Sequence, residues 1–172
     1  MTKSIIVAIA KNFAIGLKNG LLYKMPNDMA HFKATTTGHT VLMGKNTFES
    51  FPKRPLPNRR NLVLALPEEI PSDKEGAEWF TSLDDAFKAA DNDGEVFIIG
   101  GAYVYRQCLP LADKLYLTMV DDEPEEADAY FPTIDFSEWE EESHEDFPAD
   151  DKHKYPYSFV NYKRKSIYNS LT

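Results

Sequence analysis

The stretch "MPNDMAHFK" (25–33) puts a carboxylate, Asp28, in the first turn of a helical pattern. Pro26 and Asn27 mark the start, since proline blocks extension upstream and asparagine caps first-turn N–H groups. Asp28, Phe32 and Thr35 then fall on one face at i, i+4 and i+7, and Phe32 turns that face inward. Two chemistries fit such an acid. It can cap its own helix, or it can point into a cleft, where desolvation raises its pKa unless a ligand supplies hydrogen bonds. A flat ring with adjacent N–H donors would satisfy both oxygens.

Three further stretches carry chemical potential. In "VFIIGGAYVY" (96–105) a strand runs through Gly100 and Gly101 into a helix. Side-chain-free backbone at a helix N-terminus lets an anion such as a pyrophosphate approach closely, although a tight turn without ligand has the same pattern. "MGKNTFES" (43–50) repeats the arrangement, with Gly44 at the strand end, Lys45 as a cation and Thr47 as a hydroxyl. Two such junctions in one sheet suggest a ligand with several phosphates, hence a dinucleotide. "KRPLPNRR" (53–60) is a basic patch stiffened by two prolines. It reads as a solvated loop or as a mount for Arg59, whose guanidinium could clamp a carboxylate.

The elements that must hold these residues are legible in the apolar runs. "SIIVAIA" (4–10), "TVLMG" (40–44), "NLVLAL" (61–66), "EVFII" (95–99) and "DKLYLTMV" (113–120) read as buried strands, with "AEWF" (77–80) a short one. Residues 11–26, with Gly16 and Gly20, read as a long loop, a length usually functional or mobile in a small domain. Helices are expected at "KNTFES", at "SLDDAFKAA" (82–90) with Ser82 and Asp85 in capping-box spacing, and at "AYVYRQCL". "FSEWEEES" and "YSFVNYKRK" alternate like an antiparallel pair with one wet face. The sum is an α/β fold. It has a mixed, mainly parallel central sheet of about eight strands, an antiparallel C-terminal strand and about four flanking helices. Ligands of such sheets bind outside the carboxyl ends of strands.

At 172 residues the chain suits one domain, residues 1–172, with 166–172 past the last strand as a loose tail. A net charge of −9 argues against nucleic acid as a partner. No apolar run approaches the roughly 20 residues of a membrane helix, so no membrane role is expected. Cys108 stands alone, which excludes an internal disulfide and fits a reducing cytoplasm. His31, His39, His144 and His153 lack zinc spacing, and the acidic 121–151 stretch lacks a calcium-loop glycine, so no metal site is expected.

Taken in order, "IIVAIAKNFAIGLKNGLLYKMPNDMAHFK", "VLMGKNTFESF", "RPLPNRRN", "FIIGGAYVY", "LYLT" and "YFP" resemble the dihydrofolate reductase family, in its bacterial form, from residue 4 to about 165. The resemblance implies transfer of a hydride from NADPH to C6 of dihydrofolate, with N5 gaining a proton. Asp28 would grip the pterin's 2-amino group and N3, with Thr118 sharing the network and Tyr23 holding a water beside the acid. Ile6, Val7, Ala8, Leu21 and Met29, with Phe32, Phe51, Leu56 and Ile99, would wall the substrate pocket. Arg59 would take the glutamate α-carboxylate. The pyrophosphate would lie at Gly100, Gly101 and the helix of Ala102, Tyr103 and Val104, with Gly44, Asn46 and Thr47 at the adjacent phosphate. Ala8, Ile15, Gly16, Leu64, Ile99 and Tyr105 would complete the cofactor contacts, Ile99 and Tyr105 flanking the nicotinamide. The family joins its paired glycines by a cis peptide, and loop 11–26 would close over the site.

Partners implied are dihydrofolate and antifolate-type small molecules, and the state implied is a cytoplasmic monomer. Five positions depart from the usual bacterial pattern. Tyr23 stands for a frequent tryptophan and Lys45 for a frequent arginine. Ala65, Leu66 and Tyr103 stand where serines and an arginine often hold the cofactor's 2′-phosphate. Lys45 is thus left as the cation for that phosphate, a point charge in place of a bidentate fork. The rival reading is a related NADPH-dependent reductase of another pterin or of a riboflavin-pathway pyrimidine, which would not need Arg59.

Overall fold

The computed structural model describes residues 1–18 and 20–166. Its main sheet uses β1 (Thr2–Ile9), β4 (Thr40–Gly44), β5 (Arg60–Leu64), β6 (Glu78–Phe80), β7 (Glu95–Ile98), β8 (Lys114–Val120), β10 (Trp139–Phe147) and β11 (Tyr157–Arg164). Helices α1 (Pro26–Thr36), α2 (Lys45–Ser50), α3 (Leu83–Ala89) and α4 (Ala102–Cys108) connect them. The strand order is β10-β11-β8-β1-β7-β4-β5-β6, parallel from β8 to β6, with β11 antiparallel to both neighbours. The expected mixed α/β sheet of eight strands and four helices is what forms.

Central strands read as unbroken apolar runs because they are covered on both faces. Alternate residues divide between two cores: Ile5, Leu42, Leu62, Ile98 and Leu117 on one side, Ile6, Val41, Met43, Val63 and Phe97 on the other. A third, smaller cluster gathers Met25, Val120 and Tyr157 near the start of α1.

Local signals set several boundaries. Ser82 caps α3, its side chain accepting the Asp85 N–H at 3.1 Å, as the capping-box spacing predicts. Ser82→Ala should lower stability by about 1 kcal/mol with activity unchanged, which urea unfolding of the two proteins would measure. α1 does begin at Pro26, but its N-cap is Met25 and no side chain of that residue caps it. Asn27 lies inside the first turn instead, and its amide donates to Tyr157 Oη at 2.7 Å.

Two expectations need correction. Residues 11–26 are not a plain loop: β2 (Ala14–Leu17) and β3 (Gly20–Leu21) pair there, and β2 also pairs with β9 (Ala129–Tyr130). Strands of four and two residues are too short to show a period, and the partner lies more than 100 residues away. Gly16 permits this packing, since a Cβ there would sit 3.0 Å from the Gly20 carbonyl oxygen. In the late pair, Phe136–Glu138 is a 3-10 turn, and β10 from Glu140 to Asp146 is exposed throughout instead of alternating. β10 is the sheet's edge, so neither of its faces gains a covering layer. The expected tail at 166–172 lies outside the described residues apart from Ser166.

Candidate active site

Asp28 does not cap its own helix. From the first turn of α1 it reaches across to β8, where the Thr118 hydroxyl donates to its Oδ1 at 2.5 Å. Among the described residues its Oδ2 has no hydrogen-bond donor. Burial raises the Asp28 pKa above that of an ordinary carboxyl, and the Thr118 hydroxyl and nearby His31 pull it back only part of the way. His31 lies one turn further along α1, stacked on Phe159 with ring centres 4.0 Å apart. Burial lowers its own pKa, against the pull of Asp28 and Glu145.

The apolar residues expected to wall the substrate pocket take the following positions in the fold. Ile6, Leu56 and Ile99 are buried in one core, and Phe32 and Phe51 pack against it while staying partly open. Val7 and Ala8 on β1 are half-buried. Leu21 and Met29 are 70% and 61% exposed, an unusual state for large apolar side chains. An acid set beside such apolar residues would form a slot able to orient a flat, donor-bearing heterocycle.

At one end stands Arg59. Its Nε donates to the Pro57 carbonyl at 2.9 Å and its Nη1 to Thr36 Oγ1 at 3.1 Å, and no carboxylate pairs with it among the described residues. Arg60 is the reverse case, bonded through both faces to Glu78 and Asp93. The next residue, Asn61, is buried and locks the Leu56–Arg59 turn by three hydrogen bonds, which fixes where Arg59 projects.

The two glycine junctions lie side by side. The Gly44 N–H donates to the Gly100 carbonyl at 2.9 Å, and the Ile99 N–H to Leu42 at 2.9 Å. The Gly100–Gly101 peptide is cis. Gly100 has φ +127°, which a side chain would strain, and a Cβ there would meet Tyr105 Oη at 3.4 Å and Thr47 Oγ1 at 3.5 Å. Neither α2 nor α4 is capped by a side chain. Bare backbone facing a threonine hydroxyl, with two uncapped helix starts, suits a phosphate group. Tyr105 is buried and donates to the Ile6 carbonyl at 2.9 Å, tying α4 to β1. Val104 and Ile15 are buried beside it in the same core, with Leu64 and Ala102 packed on its margin. Asn46 and Tyr103 are exposed, and Gly16 is buried in β2.

Two residues depart from their expected settings. The Tyr23 hydroxyl donates to Asp122 Oδ2 at 2.8 Å, and burial with that bond pushes its pKa up. The phenol's only hydrogen is therefore used 99 residues downstream. Lys45 is not a free cation either, since its Nζ lies 2.9 Å from Glu49 and 3.7 Å from Glu69. Sequence reasoning missed His31 and His153, having weighed the histidines only as zinc ligands. For His31 a signal existed, its i+3 spacing from Asp28.

Comparison with known proteins is consistent throughout. A family model described as dihydrofolate reductase matches residues 2–164. The chain is 40% identical to the dihydrofolate reductase of Bacillus subtilis (strain 168) over 163 residues, covering 95% of each. It is also 40% identical to that of Haemophilus influenzae over 165 residues, covering 96% of this chain and 100% of the other. A solved dihydrofolate reductase from Enterococcus faecalis, complexed with NADP(H) and RAB-propyl, superposes with TM-score 0.83 at 33% identity, covering 96% of this chain and 97% of that one.

Proposed function

We propose, since the chain belongs to the dihydrofolate reductase family, that the slot around Asp28 is where a dihydrofolate pterin ring binds. The reaction is reduction of dihydrofolate by NADPH to tetrahydrofolate, an oxidoreductase step of one-carbon metabolism. NADPH supplies the hydride that passes to C6 of the pterin. The observation that carries the reading is the half-satisfied carboxylate of Asp28, bonded by Thr118 through one oxygen only.

The chain's own residues then act in simple ways. Asp28 accepts from the pterin's 2-amino group and N3, fixing the ring's register against Phe32 and Ile6. Its raised pKa keeps a proton within reach of the solvent beside the ring, which N5 needs. Thr118 fixes the carboxylate's orientation. Arg59 holds the glutamate carboxylate, and Leu21 and Met29 lose their exposure when the ring is bound. Gly44, Thr47, Gly100 and Gly101 would take the pyrophosphate, since side-chain-free backbone there faces the Thr47 hydroxyl beside two uncapped helix starts. The β2–β3 segment covers the site and excludes water. The protein would work as a single domain, a monomer, in the cytoplasm.

Mixing the protein with NADPH and dihydrofolate and following NADPH absorbance tests the reading. Turnover is expected; its absence, with oxidation driven by another pterin or a pyrimidine, would replace it. We assign the 2′-phosphate of NADPH to Lys45, in competition with Glu49 and Glu69. Lys45→Ala is expected to raise the KM for NADPH about tenfold while leaving the KM for NADH unchanged. Equal changes for both cofactors would move the phosphate elsewhere.

A further inference from the structure

We infer that His153, in the connection between β10 and β11, is a positioning residue for this reaction: its neutral imidazole caps the helix that carries Asp28. The inference rests on the assignment of Asp28 as the acid that grips the pterin. A helix begins with several N–H groups that have no partner within it. In α1 the N-cap Met25 offers no side-chain cap, and Pro26 has no N–H to satisfy. The first N–H inside the helix is that of Asn27, and it points to His153 Nε2 at 3.3 Å.

That contact decides the tautomer. A backbone amide can only donate, so Nε2 must be the bare nitrogen and Nδ1 must carry the hydrogen. Nδ1 lies 2.9 Å from Asp150 Oδ1, which accepts it. The same bond is the foremost cause holding the Asp150 carboxyl below its ordinary pKa. The imidazole is 6% exposed and leans on the Tyr157 ring. Its loop is closed by reciprocal backbone bonds, Asp150 N–H to the His153 carbonyl at 2.8 Å and His153 N–H to the Asp150 carbonyl at 3.3 Å. A buried ring oriented by a carboxylate and aimed at one N–H is built, not incidental.

Residue 27 is held twice from the far end of the chain, by His153 on its backbone and by Tyr157 on its side chain. The next residue is Asp28. A frayed first turn would loosen the aim of that carboxylate at Thr118, so the cap acts on substrate binding through the acid. The groups around the ring are Asp150 at Nδ1, Tyr157 on its face, and Asn27 of α1 with Asp28 beyond it; Lys152 and Lys154 flank it in the chain. Protonation would put a hydrogen on Nε2, facing an N–H at the positive end of a helix. A neutral imidazole is therefore what the cap requires.

Nitrogen-15 NMR of the full chain, with His153 assigned by its loss in His153→Gln, reads the tautomer directly. A bare Nε2 and a protonated Nδ1 are expected at pH 7; an Nε2–H tautomer or an imidazolium would overturn the inference. In kinetics, His153→Leu should raise the KM for dihydrofolate about tenfold, the scale of one lost capping bond, and leave the KM for NADPH unchanged. His153→Gln, whose carbonyl can accept the same N–H, should recover most of the loss. A wild-type KM for dihydrofolate in folded His153→Leu would also overturn it. If that variant does not fold, the tautomer decides. If wild-type protein fails to turn over dihydrofolate at all, the family's reaction is at fault, and the tautomer still reports the cap.

Discussion

Asp28→Asn is expected to lower kcat/KM for dihydrofolate at neutral pH by roughly 30-fold to several-thousand-fold, the effect of removing one partner of a buried charged pair, about 2–5 kcal/mol. The asparagine keeps an oxygen for the Thr118 hydroxyl, so the fold should survive while the grip on the pterin's two donors fails. Steady-state kinetics over a pH series checks a second consequence. Reduction consumes a proton, so wild-type kcat should fall as pH rises through the raised pKa of Asp28, and the variant should lose that dependence. Stability should move the opposite way. Between the ordinary carboxylate pKa of 3.8 and the raised folded value, the native state binds more protons than the unfolded chain, so stability falls as pH rises through that window. A neutral asparagine escapes this penalty. Asp28→Asn should thus have the higher Tm at pH 7, with the difference closing below pH 3.8. A variant with near-normal turnover and unchanged Tm would reduce Asp28 to a structural residue.

Arg59→Ala is expected to raise the KM for dihydrofolate by roughly 10- to 150-fold, from the loss of charged hydrogen bonds of about 1.5–3 kcal/mol. Of the five N–H donors of Arg59, those on Nε and Nη1 already meet Pro57 and Thr36, which anchors the group and leaves Nη2 outward. A dihydropterin without the glutamate should be reduced equally well by both proteins. That comparison separates ligand binding from mere bracing of α1 against its neighbouring loop. Equal losses for both compounds would show that Arg59 acts only as a brace. Arg59→Lys should fall between, since an ammonium cannot reproduce the planar fork.

The sheet was legible because its central strands are buried on both sides, which writes them into the chain as continuous apolar runs such as Ile5–Ile9 and Val41–Met43. Helix α3 was legible through a local cap. The small sheet of β2, β3 and β9 was not, because β2 and β9 pair across more than 100 positions and all three strands are too short to show a pattern. The candidate site divides along the same line. Gly100, Gly101 and Thr47 announce themselves by type and spacing. The choice for Asp28 between cap and cleft turned on Thr118, 90 residues away, and the residues themselves left it open. The partner of the Tyr23 hydroxyl was hidden for the same reason, since nothing near it in sequence foretells Asp122. A side chain's partner is a tertiary fact, whereas its burial is often a local one.

The two margins of the main sheet have unlike guards. At one side β6 is only three residues long, too brief to template another strand. At the other β10 runs for nine, and its open backbone would invite a second molecule to add on. Glu140, Glu141, Glu142, Glu145 and Asp146 line that margin, so two such strands meeting edge to edge would crowd like charges together. The acidity of this segment thus opposes strand addition at this margin, an opposition that neutralising those carboxylates would remove.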